Sequence, residues 1–160
     1  MLKFSRSRRR DLLMPVTLRS AVFNDVPPIL AVERQAPGAA HWTEEQYGKL
    51  LGSGVVVVAE QAGQICGFVC AQVVAGEWEI ENLAVAPAFR RRGVGGELLR
   101  ELSRRAENEA APAILLEVRE SNRPARQLYE KHGFREESYR RAYYREPVED
   151  AILYALRFDR

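Results

Sequence analysis

Between Trp78 and Leu102 the chain passes from strand to loop to helix, and a few residues dictate each transition. Trp78 and Ile80 alternate with Glu79 and Glu81, the two-residue period of a strand with one face buried. The next apolar pair, Leu83 and Val85, is one residue out of phase, so a bulge near Asn82 is needed to keep both halves on one face. Pro87 ends the strand because it has no N–H to give a ladder. Arg90, Arg91, Arg92, Gly93, Val94, Gly95 and Gly96 then open a helix whose apolar stripe is Val94, Leu98, Leu102 and Ala106. A bulged strand that feeds directly into an amphipathic helix implies an α/β architecture.

A glycine-rich turn at a helix N-terminus presents backbone N–H groups in the positive field of the helix dipole, and neighbouring arginines add charge. Glycine also lets the backbone approach phosphate oxygens closely. Residues 90–96 therefore suit a phosphate, although Gly-x-Gly by itself fits an ordinary charged loop at least as well. The stretch lacks the third glycine and later acidic residue of a dinucleotide fingerprint. It also lacks the Gly-Lys-Ser/Thr of a P-loop.

The rest of the chain reads in order around this stretch. Val16 to Ala21 is a short strand, and Asn24 or Asp25 caps a helix with Pro27 and Pro28 in its first turn. Pro37 and Gly38 break that helix, and the capping-box pattern Thr43-Glu-Glu-Gln46 starts a second one running to about Leu51. His41 and Trp42 lie in the loop between them, where Trp42 fits equally a hydrophobic staple and a binding-site wall. Val55–Glu60 and Ile65–Val74 form a hairpin turning at Gly63, and Gly76 leads into the bulged strand, which makes an antiparallel meander. After the helix over 93–109, Ala113–Val118 is an uninterrupted apolar strand. Asn122 caps the next helix, Gly133 closes it, and 134–144 and 151–158 are the last strands, joined through 145–150. Cys66 and Cys70, four apart in one strand, are expected to share a face as buried thiols, since no further Cys or His pair completes a metal site.

Composition limits the classes of function. At 160 residues, 46% apolar and 29% charged, the chain is the size of one soluble domain. No apolar run approaches the roughly 20 residues that cross a bilayer, so a cytoplasmic location without membrane contact is expected. The net charge of +2 is unevenly placed: residues 1–13 hold five of the 24 Lys and Arg but one of the 22 Asp and Glu. The remainder is slightly acidic and has no general nucleic-acid footprint. Residues 1–13 are expected to be a disordered basic extension ahead of a single domain over 14–160, with Met14 an alternative start.

Two further residues stand out chemically. Glu117 lies at the end of the apolar strand; there it reads evenly as a solvent-facing glutamate or as a buried proton acceptor, because an unpaired buried carboxylate holds its proton more tightly. Tyr129 lies on the following helix, on one face with Asn122 and Arg126, where a core aromatic is the simpler reading.

The blocks Leu116-Glu-Val-Arg-Glu-Ser-Asn122 and Ala125-Arg-Gln-Leu-Tyr-Glu-Lys-His-Gly-Phe134, with Arg-x-x-Gly-x-Gly at 90–95, resemble the GNAT superfamily of N-acetyltransferases. Arg140-Arg-Ala-Tyr-Tyr144 and Glu149-Asp-Ala-Ile152 resemble the closing signature of its RimI-type branch, whose members acetylate the N-terminal alanine of a bacterial small-subunit ribosomal protein. The likeness runs over 16–158, and it departs at His41-Trp42-Thr43, where Pro-Trp-Ser is more usual. It implies an α/β fold with a mixed, mostly antiparallel sheet of about seven strands, a bulged central strand and about four helices. It also implies that Glu117 is the proton acceptor and Tyr129 the proton donor. Leu83, Ala84 and Val85 would run along the pantetheine arm of acetyl-CoA, Arg90 to Gly96 would hold its pyrophosphate, and Asn122 would make a further contact. Trp42 and Tyr143 are the candidates for the peptide side, Tyr144 being expected to pack elsewhere because strand residues alternate. No metal is required and a monomer is favoured.

Such an enzyme deprotonates an α-amine of ordinary pKa about 7.7–8.0, directs it at the thioester carbonyl and protonates the leaving thiolate. A backbone N–H freed by the bulge would steady the oxyanion. Should Glu117 not serve as base, Glu81 and Glu33 are the next carboxylates to examine. Two other functions stay open: acetylation of a lysine side chain or small amine, and a non-catalytic CoA-binding or ribosome-associated module using the basic arm.

Overall fold

A computed structural model of the protein describes residues 15–159; the basic segment 1–13 and Met14 lie outside the described residues. Seven strands form one sheet in the order β1-β2-β3-β4-β5-β7-β6. These are β1 Thr17–Ser20, β2 Val55–Gln61, β3 Gln64–Val74, β4 Glu77–Val85, β5 Ala113–Arg119, β6 Arg135–Arg145 and β7 Val148–Arg157. Among the described residues four α-helices cover it: α1 Val26–Arg34, α2 Glu44–Ser53, α3 Val94–Asn108 and α4 Arg123–Lys131. All pairings are antiparallel except β4 with β5.

Each face of the sheet has its own core. Val94, Leu98, Leu102 and Ala106 of α3, with Tyr129 of α4, pack on Trp78, Ile80, Leu116 and Ile152. Leu98 and Leu102 are fully buried, which is worth about 1.5–3 kcal/mol for each side chain. On the other face Val26, Ile29 and Val32 of α1 and Tyr47 and Leu50 of α2 pack on Val56, Val58 and Phe68.

The bulge in β4 falls where the phase slip requires it. Cys70 pairs with Asn82 and Ala71 with Ile80, so Glu81 is the extra residue. Trp78 and Ile80 before the bulge and Leu83 and Val85 after it all meet the α3 side, while Ala84 meets the α1 side. A second bulge corrects an expectation. Ala59 pairs with Gly67 and Glu60 with Ile65, which makes Cys66 an extra residue in β3. The slip puts Cys66 and Cys70 on opposite faces of the sheet, both buried as free thiols.

Helix ends follow the local chemistry. Thr43 and Gln46 exchange the two bonds of a capping box at 3.2 and 2.8 Å. Asn122 caps α4 by accepting the Ala125 N–H at 3.3 Å. Asp25 stands at the cap position of α1 without capping it, because its carboxylate is held by Arg19 at 2.7 and 3.0 Å and by the Val22 N–H. The β6–β7 connection is shorter than the sequence suggested: only Glu146 and Pro147 separate the strands.

Candidate active site

A gap opens in the middle of the sheet. β4 and β5 pair only at Trp78 with Ile114 and Glu79 with Leu115, then separate. β4 runs on to Val85 and β5 to Arg119, so each strand carries an edge that faces the gap without a ladder partner. The bulge at Glu81 lies where separation begins, and parallel strands that stop pairing leave backbone N–H and C=O groups for an extended ligand.

At the far end of β4 the chain enters α3 through residues 86–93. Gly93 is the N-cap residue in the left-handed region, φ 77°, with open space where a Cβ would stand. The amides of Val94, Gly95 and Gly96 have no acceptor within their own helix, as at every helix start. Gly95 and Gly96 serve packing between helices: a Cβ on Gly95 would stand 3.2 Å from Leu128 Cδ2, and one on Gly96 2.6 Å from His132 Nε2. Burial, then the charges of Arg100 and Lys131, hold His132 below its ordinary pKa.

The three arginines diverge. Arg90 donates from Nε to the Val85 carbonyl at 3.1 Å and from a terminal nitrogen to the Gln35 carbonyl at 2.9 Å, tying the end of β4 to the end of α1. Arg92 lies over the Phe89 ring at 5.7 Å. Arg91, at φ 61°, has no hydrogen-bond or ion-pair partner among the described residues. Arg92 likewise has no hydrogen-bond or ion-pair partner among the described residues, so both Arg91 and Arg92 keep their donors for an anion.

Glu117 projects from β5 within a group of charged and phenolic side chains. Its Oε1 is 3.4 Å from Arg140 Nε, and the proximity of Glu117 is the leading cause of a raised Tyr143 pKa. Tyr144 is also raised, by burial first and then by Glu117. Alternation does not keep the two tyrosines apart: their rings meet edge-on with centroids 5.1 Å apart, Tyr144 lying against Arg119. The reason is an irregularity in β6: Arg140 pairs with Ala151 and Tyr144 with Glu149, so three β6 residues oppose Asp150. Ala142 takes φ 48° there, and its N–H donates to Asp150 Oδ1 at 2.8 Å. Nothing in the sequence signals a left-handed alanine. Arg119 completes the arrangement, stacked over the Tyr144 ring at 4.2 Å and donating to the Pro147 carbonyl at 3.0 Å.

Tyr129 is 8% exposed and packs between Phe134 and Tyr154. Burial, then Tyr144 and Cys70, raise its pKa well above the ordinary phenol value, so the hydroxyl keeps its proton. Arg126, expected on the same face, turns away to Tyr154 Oη at 3.0 Å. Glu81, the bulge residue, has its pKa raised by burial and then by Glu79 and Glu117.

The α1–α2 loop, residues 35–43, closes the other side. Trp42 packs on Tyr47 with ring centroids 5.4 Å apart, the contact of a hydrophobic staple, and remains half-exposed. Asn82 grips Ala40 twice, accepting its N–H at 3.3 Å and donating to its carbonyl at 3.0 Å. Gly38 comes so near α4 that a Cβ on it would stand 3.1 Å from Asn122 Nδ2, so the loop reaches from the β4 bulge to the cap of α4. Asn82, Tyr47 and Glu33, which hold this loop, are the site residues whose role the sequence did not suggest. The one available signal was the capping box, which places Tyr47 one turn into α2, beside Trp42.

A model of the acetyltransferase (GNAT) family matches residues 22–134. The chain is 36% identical over 143 residues to the [ribosomal protein bS18]-alanine N-acetyltransferase of Escherichia coli K12, covering 88% of this chain and 96% of that one. The crystal structure of the ribosomal-protein-S18-alanine N-acetyltransferase from Escherichia coli superposes with a TM-score of 0.84 at 34% identity, over 91% of this chain and 96% of the other. A GNAT acetyltransferase from Elizabethkingia anophelis, solved with acetyl-CoA bound, shares the fold at 23% identity and a TM-score of 0.75, covering 89% and 98%.

Proposed function

This chain belongs to the acetyltransferase (GNAT) family, and we propose that it acetylates the α-amine of an N-terminal alanine on a small-subunit ribosomal protein, with acetyl-CoA as donor. The observation that carries the reading is 36% identity over nearly the full length to an enzyme of that activity. The geometry supports it. The gap between β4 and β5, with free strand edges and a left-handed glycine at a helix start, suits an extended donor that ends in phosphates.

In this reading each residue has one task. Leu83, Ala84 and Val85 offer a strand edge to the pantetheine arm, and Arg91 with the amides at Gly93 to Gly96 meets the pyrophosphate. Asn122, beside Gly38, makes a further contact with the donor. Arg90 holds the loop in shape through the Val85 and Gln35 carbonyls, while Arg92, lying over Phe89, keeps its donors for the pyrophosphate beside Arg91. Glu117 takes the proton from the substrate ammonium, freeing the nitrogen lone pair to form the new N–C bond as the C–S bond breaks. Tyr129, protonated throughout the physiological range, gives its proton to the departing thiolate sulfur. Tyr143, beside Glu117, lines the peptide side together with Trp42.

The test is direct. Purified protein, acetyl-CoA and synthetic peptides beginning with alanine are incubated, and mass spectrometry locates the added acetyl group. The expected product carries it on the α-nitrogen. Acetylation of lysine side chains or small amines with every α-amine untouched would reject the substrate assignment and leave the family intact.

A further inference from the structure

The loop over the gap is fixed from beneath by buried polar side chains that take no part in the chemistry above. Asn82 Nδ2 donates to Tyr47 Oη at 3.1 Å as well as to the Ala40 carbonyl. Tyr47 accepts that bond and donates its own proton to Glu33 Oε2. Glu33 Oε1 accepts the Trp42 N–H at 3.0 Å. Donors and acceptors thus alternate without a gap from the β4 bulge to the loop, ending on the backbone of Ala40 at one end and Trp42 at the other. Tyr47, Glu33 and Asn82 are 1, 2 and 5% exposed, so water cannot replace a broken bond and the full desolvation cost of the stranded partner opposes loop movement. At its start the loop is also tied through the Gln35 carbonyl to Arg90.

We infer that Glu33, Tyr47 and Asn82 are positioning residues that hold loop 35–43 as a fixed wall over the gap, and that this wall limits the size of the side chain on the substrate's first residue. The inference rests on the α-amine reading above. Its logic is spatial. Asn82 is next to the bulge where the strands part, and it clamps Ala40 directly over that point. An α-amine directed there carries its side chain on the adjacent Cα, which brings the first residue's Cβ substituents under Ala40. A wall that cannot retreat excludes large substituents through overpacking, whereas a loose wall admits them.

Tyr47→Phe removes one hydroxyl and cuts the chain of bonds at its centre, and Glu33→Gln replaces the acceptor with a side chain of the same shape. kcat/KM is measured for peptides differing only in a first residue of alanine, serine, leucine or methionine. In both variants the preference for alanine over leucine is expected to fall by about 5-fold or more, within the range that one or a few methylenes are worth in a pocket. The KM for acetyl-CoA should stay within about 2-fold, since neither residue lines the donor's strand edge. An equal fall for every peptide, or an unchanged preference, overturns the inference while leaving the α-amine reading standing. Wild-type protein that modifies no α-amine defeats that reading instead. Hydrogen exchange on the wild type needs no variant to fold: the Ala40 and Trp42 amides should exchange far more slowly than that of His41, and equal rates also overturn the inference.

Discussion

The two walls of the gap are built from different physics. On the β4 side the loop is held through Glu33, Tyr47 and Asn82, all at most 5% exposed, by hydrogen bonds that water cannot enter. On the β6–β7 side Tyr143 is 47% exposed, and the side chain of Arg140, which meets Glu117, is 58% exposed. Buried polar bonds are costly to break because the partner left behind is desolvated, whereas an exposed ion pair is exchanged for water and salt at little cost. One wall is therefore preformed and the other can adjust as a peptide arrives, while Glu117 lies where they meet. A small first residue would be selected by the rigid wall, and the rest of the peptide accommodated by the soft one.

The largest expected effect comes from the meeting point itself. Glu117→Gln keeps the shape of the side chain but cannot accept a proton, so kcat for peptide acetylation should fall about 10²–10⁴-fold with KM little changed. Tyr129→Phe should cost a similar order in kcat with a near-normal melting curve. The double variant should lose less than the product of the single losses, because both residues serve one reaction. Should Glu117→Gln keep most of its turnover at pH 7, Glu81, whose carboxyl is already raised by burial, is the next base to test.

The contrast between the walls is tested by one alanine substitution in each. Asn82→Ala should lower unfolding free energy by about 1–3 kcal/mol, the cost of stranding buried partners. Arg140→Ala should change it by about 1 kcal/mol or less, as for exposed pairs generally. Equal losses in chemical denaturation would remove the distinction between the walls.

The smallest effect is on pH. The Glu149 carboxylate accepts the Ser121 N–H at 2.5 Å and faces Arg119, so it is held below its ordinary pKa, with Ser121 the larger cause. A depressed carboxylate contributes stability above the unfolded value of about 4.3 and loses it as pH falls through the lower folded value. Acid should therefore release this contact only once the pH falls below the ordinary carboxylate range, seen as faster exchange of the Ser121 amide there and not near pH 5.

Local pattern was enough for most of the frame. The slip from Ile80 to Leu83 located the β4 bulge because two apolar pairs one residue out of phase cannot share a face without an extra residue. Thr43 to Gln46 and Asn122 with Pro124 started their helices because caps act within one turn. The same logic failed for Cys66, where the β3 bulge leaves no interruption in an apolar run, since a strand buried on both faces has no alternation to break. It failed again at Tyr143 and Tyr144, where alternation was assumed across a stretch that the β7 partner pulls out of register.

The sequence by itself determined the elements, the family to which they belong and the residue types that the chemistry needs, because periodicity, caps and glycine turns depend on neighbours a few positions away. Only the tertiary structure decided that Arg90 is spent on the Gln35 carbonyl, that a Cβ at Gly96 would meet the His132 ring, that Tyr144 lies against Arg119, and what holds the loop over the gap. Each of these depends on partners far apart in the chain, as Arg90 is from Gln35 or Asn82 from Ala40. No local pattern records such a partner, because only the packing of the sheet brings the two together.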